Sequence, residues 1–246
     1  MSRVLKLSLL LSVIAVVESS PPNTALAYVI GGSPWTGSPI TLTYSYVNVF
    51  DGGIKMPDGN PLPNSLIKGS IEEALGLWSS VVPVNWVEVP DSSASTLRFR
   101  HIFINGPDPP PPADPIAKAQ ATCIGRGFGC EVQYDDSDRW QEVGTQPNPD
   151  VLGATIHEVG HILGLQHSLD PTANMYWIFT RFDGLGTGQL FADDIAGIRA
   201  LYGPGVGSVT PLALPEPNGW LLLAAVLCAL PFAGRRRRYA FGYSRR

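Results

Sequence analysis

The chain has 246 residues, 44% of them hydrophobic and 15% charged, with a formal net charge of −4. Of its 17 basic residues, two lie in the first six positions and six in the last twelve, which leaves nine against 19 acidic residues across 28–214, a net charge of −10. That balance excludes a nucleic-acid partner and suits an extracellular chain that binds cations, although surplus carboxylates also serve simply as a solvated surface.

At the N-terminus, Arg3 and Lys6 precede an uncharged apolar run over 7–17, and Ala25-Leu26-Ala27 follows as a small-x-small cleavage signal. Residues 1–27 therefore read as a secretory signal peptide for signal peptidase; the run is short of the roughly 20 residues a membrane-spanning first helix needs. One catalytic domain over 28–203 is the simplest count, a size that supports a real core.

Within it, 40–47 alternates, with Leu42, Tyr44 and Tyr46 on one face, and reads as a half-buried strand. Ile67, Ile71, Ala74, Leu75 and Trp78 recur at helical spacing over 65–78, with Ser65 as a cap. Strands are expected at 85–89, 97–104, 116–122 and 131–134, and 106–115, with six prolines, is an extended loop. Cys123 and Cys130 bracket a glycine-rich stretch; in an oxidising compartment they form a disulfide, the alternative being two free thiols. A second helix is expected over 151–165, entered through Pro147, Pro149 and Asp150, and a third over 192–202, stopped by Gly203 and Pro204. The class is α+β: a mixed five-stranded sheet with three helices.

The chemistry concentrates in HEVGHILGLQH, His157 to His167. Spaced four apart on a helix, His157 and His161 stack one turn above the other and supply two imidazoles for a zinc ion. Glu158 is turned about 100° from His157 and so reaches a metal-bound water rather than the metal, as a general base. Gly164 frees the chain to leave the helix and reverse, which brings His167 back as the third ligand. Three neutral histidines leave a coordination position open, the mark of a catalytic site. His101, the remaining histidine, receives no role.

HExxHxxGxxH followed by a methionine turn is the metzincin signature, and Met175, in Ala-Asn-Met-Tyr, lies eight residues after His167. That spacing, with His167-Ser168, Asp170-Pro171, Leu42-Thr43-Tyr44, 71–89 and the helix LFADDIAGIRALYG at 190–203, resembles the matrixins, the matrix-metalloproteinase-like branch. The resemblance implies a zinc endopeptidase acting on polypeptide substrates, with Met175 as an apolar floor beneath the metal. It further implies a substrate laid along the strand at 116–122 and a specificity wall from 176–190, where Trp177 replaces the family's usual proline. Asp135 and Asp138 match a pair of calcium-binding carboxylates in the family; a solvated acidic turn is the alternative. Lys118 and Gln133 stand among the positions of a second, structural zinc, which is expected to be missing. Asp193 and Asp194 occupy a helix first turn, where a structural role suffices. The stretch before Trp35 leaves no room for the family's inhibitory propeptide. A non-catalytic surface or matrix binding module that keeps the metal is the competing reading, and retention of Glu158 argues against it.

Beyond a linker at 204–214, Pro215-Glu216-Pro217 precedes an apolar stretch over 220–233 and then Arg235 to Arg238. The order of the three parts over 215–246 resembles the PEP-CTERM sorting signal of Gram-negative bacteria. It implies transient membrane association, processing by an exosortase-type enzyme, and delivery to the cell surface or the extracellular matrix.

Overall fold

The computed structural model describes residues 27–107, 119–123, 129–141, 150–177 and 188–213. The signal peptide up to residue 26, the sorting segment at 215–246 and most of the loop at 106–115 lie outside the described residues. No helix among the described residues is long and apolar enough to cross a membrane.

In chain order the elements are β1 (Val29–Ile30), β2 (Ile40–Tyr46), α1 (Asn64–Ser79), β3 (Val84–Glu88), β4 (Leu97–Ile102), β5 (Ala119–Cys123), β6 (Cys130–Asp135), α2 (Val151–Ile162), β7 (Leu165–Gln166), α3 (Ala192–Tyr202) and β8 (Val209–Thr210). Among the described residues the main sheet has six strands, not five, in the order β5-β6-β4-β2-β3-β8. Its sixth member, β8, pairs parallel with β3 and comes from within the stretch expected to be a linker. A separate antiparallel pair joins β1 to β7. The strands from β6 to β8 run parallel, and β5 alone runs antiparallel, at the edge.

Alternation along the strands sorts side chains onto two faces. Leu97, Phe99, Cys130, Val132 and Tyr134 are buried on one. On the other, Arg98 reaches Asp91 and Glu131, and Gln120 bonds Gln133. The apolar face belongs to a core that includes α1 and α2, with Trp78, Trp86 and Trp140 fully enclosed. Two polar contacts inside the core set α2 in place. Trp78 Nε1 donates to the Ile156 carbonyl (3.0 Å), and the Tyr134 and Thr155 hydroxyls meet at 2.7 Å.

α1 is entered at Pro63 with no side-chain cap, so Ser65 does not cap it. Asp150, by contrast, caps α2 by accepting from Gly153 N at 2.7 Å, which satisfies one of the free N–H groups at the helix start. Of the strand expected at 116–122, residues 116–118 lie outside the described residues, and the rest forms β5, which runs one residue further, to Cys123.

Candidate metal centre

α2 ends at Ile162, three residues earlier than its apolar pattern suggests, and this early stop builds the site. The last carbonyls of a helix have no partner within it. Here Trp35 Nε1 donates to Ile162 O (2.9 Å), the Tyr202 hydroxyl to Leu163 O (2.8 Å), and Gly164 N to His161 O (3.0 Å). Gly164 has φ +106°, a left-handed conformation costly to any residue with a Cβ, and the chain turns back into β7 there. His167 follows directly after β7.

The three imidazoles converge. Their ligand nitrogens all lie within 4.8 Å of one another, and among the described residues they form the one group of three or more such side chains able to hold a metal. His157 and His161 approach Nε2 to Nε2 at 3.1 Å. Two nitrogens on a tetrahedral zinc at about 2.0–2.1 Å stand about 3.3 Å apart, so the donors fit the ion. The tautomers fit as well. His157 Nδ1–H donates to Asn174 O (2.6 Å) and His161 Nδ1–H to Leu165 O (2.9 Å), which leaves both Nε2 lone pairs facing the centre. Burial, helped by the neighbouring His161, pushes His157 down to about 3. Burial lowers His161 and His167 too, so all three rings are neutral ligands near neutral pH.

Glu158 is 8% exposed, and burial raises its carboxyl to about 7, partly offset by an N–H bond from Ala121 in β5. It lies outside the three-histidine group. Met175 is buried, and a Cβ added at Gly160 would run into its Sδ, so this glycine lets the sulfur press against the ligand helix.

Sequence reasoning missed how the turn carrying Met175 is held. Asp194 accepts from Asn174 N (2.9 Å), Asn174 Nδ2 (3.0 Å), Met175 N (3.0 Å) and Phe191 N (3.0 Å). Asp193 accepts from the Ser168 hydroxyl (2.6 Å), Ala27 N (2.7 Å) and Tyr28 N (3.0 Å). These aspartates do more than favour a helix start. They tie α3 to the turn behind His157 and to the first described residues. The adjacent Asp-Asp pair was the available signal, but its partners are far away in sequence.

Cys123 and Cys130 are joined by a disulfide. Asp135 and Asp138 are both buried, in and just after β6. Asp135 Oδ1 accepts from Ser137 N (2.9 Å) and its hydroxyl, while Oδ2 accepts from Asn105 N (3.0 Å). An oxygen with one N–H donor keeps acceptor capacity, so a hard cation remains chemically compatible. His101 stands apart, between Asp51 (2.8 Å) and Asp136 (3.1 Å). Trp177 is half exposed, and most of the expected specificity wall lies outside the described residues.

The Matrixin family model matches residues 41–203. Stromelysin-1 of Mus musculus is 31% identical over 204 residues, 81% of this chain and 40% of its own length. Matrix metalloproteinase-C of Caenorhabditis elegans is 33% identical over 195 residues, 75% of this chain and 32% of its own. Interstitial collagenase of Oryctolagus cuniculus is 35% identical over 157 residues, 62% and 31% respectively. The chain thus spans less than half the length of these relatives. Matrixins use catalytic zinc and structural calcium, and the three histidines are the group suited to the zinc. Since the match runs from β2 to the end of α3 and takes in every histidine of the cluster, the chain belongs to the matrixin family.

Proposed function

We propose that the chain is a zinc-dependent endopeptidase that hydrolyses peptide bonds of extracellular proteins, with His157, His161 and His167 holding the metal and Glu158 as general base. The observation that carries the reading is a division of labour on one helix. Three neutral imidazoles share a centre, while the adjacent buried carboxylate stands outside it. A purely structural zinc site has no use for such a carboxylate.

When bound, the zinc supplies Lewis acidity that polarises the scissile carbonyl and makes water acidic near neutral pH. Glu158 takes the proton of the attacking water and passes it to the departing amine. Burial pushes its carboxyl up, while a bound divalent cation would draw it down, so the two act in opposite senses on the proton it carries. Among the described residues β5 is the outermost strand of the sheet, and its outer edge offers main-chain groups to an extended peptide, which docks as one more strand. Trp177, which is half exposed and follows the methionine turn, is the residue we read as shaping the specificity pocket.

We read residues 1–27 as removed by signal peptidase. The segment 215–246 then serves as a PEP-CTERM-type signal that carries the chain through a transient membrane stage to an exosortase-type enzyme. The charge pattern of both ends supports this.

The test is cleavage of a peptide library by the zinc-loaded chain, with and without chelator, beside Glu158→Gln. The variant should keep its zinc and lose at least about a hundredfold in rate, the lower scale for losing a general base. Cleavage at the wild-type rate by Glu158→Gln would remove Glu158 from the mechanism, and cleavage that survives full zinc removal would refute the metal reading.

A further inference from the structure

The fold continues past the end of its family match. The Matrixin model stops at residue 203, yet the next nine residues, Pro-Gly-Val-Gly-Ser-Val-Thr-Pro-Leu, are seated on the sheet. A Gly/Pro/Ser stretch of this kind is a preferred place for proteases to nick a chain when it hangs free. Here it is tied down along its length. Gly205 N donates to Val81 O (3.3 Å), Gly207 N to Ser79 O (2.7 Å), and Trp86 N to Ser208 O (2.8 Å). The Ser208 hydroxyl donates to Asn85 Oδ1 (2.9 Å). Val209 and Thr210 stand opposite Trp86 and Val87 as β8. Leu212 N closes the run on Glu88 Oε2 (2.9 Å), an oxygen that Lys68 also holds (2.6 Å).

Every even-numbered residue from Pro204 to Leu212 is exposed, so solvent reaches the segment, and its main-chain pairing is what sets it apart from a loose tether. Gly207 makes the pairing possible. A Cβ added there would run into the Val84 carbonyl, main-chain atoms that cannot swing aside as a side chain would.

A peptidase of the kind proposed above takes its substrate as an extended strand added to an edge. Main-chain groups of 205–212 that are committed to β3, to the end of α1 and to Glu88 cannot lie in a second groove at the same time. β5 and β8 stand at opposite ends of the described sheet, five strand spacings or about 24 Å apart, so the copy that meets this segment in place is a neighbour.

We propose that residues 204–212 are a latent cleavage site for a second copy of this chain, withheld by pairing with β3 and opened when β8 peels away. Water adds across one peptide bond, which leaves a new carboxylate on the catalytic domain and a new amine on the part that departs. That part carries the apolar stretch at 220–233 and its arginines, so the cut separates the catalytic domain from its C-terminal segment. The proposal rests on the endopeptidase reading and names one substrate of that site.

The test uses the full zinc-loaded wild-type chain as peptidase and full-length Glu158→Gln chains as targets, so that no target cuts itself. One target is otherwise unchanged; a second adds Gly207→Ala, which pushes β8 off Val84, and a third adds Glu88→Ala, which removes the acceptor of Leu212 N. Mass spectrometry follows cuts within 204–214, with an unrelated protease of broad specificity run in parallel and zinc content checking that the rest of each target is folded. The unchanged target should resist both proteases. Both variants should keep their zinc and be cut within 204–214 about tenfold faster or more, because cleavage follows the open population and losing one hydrogen bond raises that population by up to about tenfold. Equal cutting of all three targets would overturn the proposal. Variants cut by the unrelated protease but spared by a wild-type chain that cleaves library peptides would overturn it too, since the segment would then be open without being a substrate. A wild-type chain that cleaves no library peptide sinks the endopeptidase reading, and this proposal with it.

Discussion

Replacing Asp194 by alanine tests whether a carboxylate remote from the reacting atoms holds the metal site together. Asp194 is 1% exposed and accepts four N–H groups at 2.9–3.0 Å, three of them from Asn174 and Met175. A buried donor left without an acceptor costs about 1–3 kcal/mol. Water entering the small void recovers part of this, so a net loss of about 3–5 kcal/mol is expected, the range for breaking a buried charged network. At about 2–4 °C per kcal/mol for a domain of this size, Tm should fall by about 6–20 °C. A second readout separates the site from the fold at large. Asn174 O receives the Nδ1–H of His157, so zinc affinity should fall about tenfold to a hundredfold, as it does when groups that orient a ligand are lost. Asp194→Asn keeps one acceptor oxygen and should lose about half as much stability. Thermal melting of the zinc-loaded chain and competition with a chromophoric chelator give both numbers. A Tm drop under about 3 °C with unchanged zinc affinity for Asp194→Ala would refute the reasoning.

Gly160→Ala gains about 1 kcal/mol of helix propensity but drives a methyl into Met175 Sδ, and overpacking of about 1–3 kcal/mol should win, giving a lower midpoint in denaturant titration and weaker zinc binding. Calcium at about a hundred times its Kd should raise the Tm of the zinc-loaded chain by about 5–11 °C, and Asp138→Asn should abolish the shift; no shift in the wild type would reject the site at Asp135 and Asp138. The Arg98 guanidinium hydrogen-bonds Asp91 and holds its carboxyl below the usual range. A lowered folded-state pKa means that the stability from this pair is present above about pH 4 and is lost as pH falls below it. The pair is partly exposed, so Asp91→Asn should cost under about 1 kcal/mol at pH 7, with the cost fading toward pH 3 in urea titrations.

The three helices and the long strands were legible because each buries one face, and burial writes a period of 3.6 or 2 into the sequence. Ala192–Tyr202 coincides with its expected bounds, since Gly203 ends it chemically as well as by pattern. α2 was read three residues too long because Leu163 and Leu165 continue the apolar stripe, whereas Trp35 and Tyr202 take the carbonyls that would extend the helix. β1, β7 and β8 have two residues each, too few to show any period, and so the sixth strand of the sheet was missed. Within the site, HExxHxxGxxH is local and could be read directly. The acceptors of the histidine Nδ1–H groups are main-chain carbonyls, and the donor to Glu158 is a main-chain amide, groups that carry no residue-type signature. Asp193 and Asp194 were seen but read too narrowly, because their partners lie up to 166 residues away.

The reach of those two aspartates also dictates an order of assembly. Two of the three metal ligands sit on α2 and the third follows at once, yet the turn behind them is closed by groups near the end of the described chain. These contacts span only 19 to 25 residues, but their acceptors are among the later parts of the described chain to be made. A polypeptide halted before Ala192 would present its imidazoles without the acceptors that square the turn beneath them. Zinc affinity should therefore be lower in a half-made chain than in one that carries the last helix.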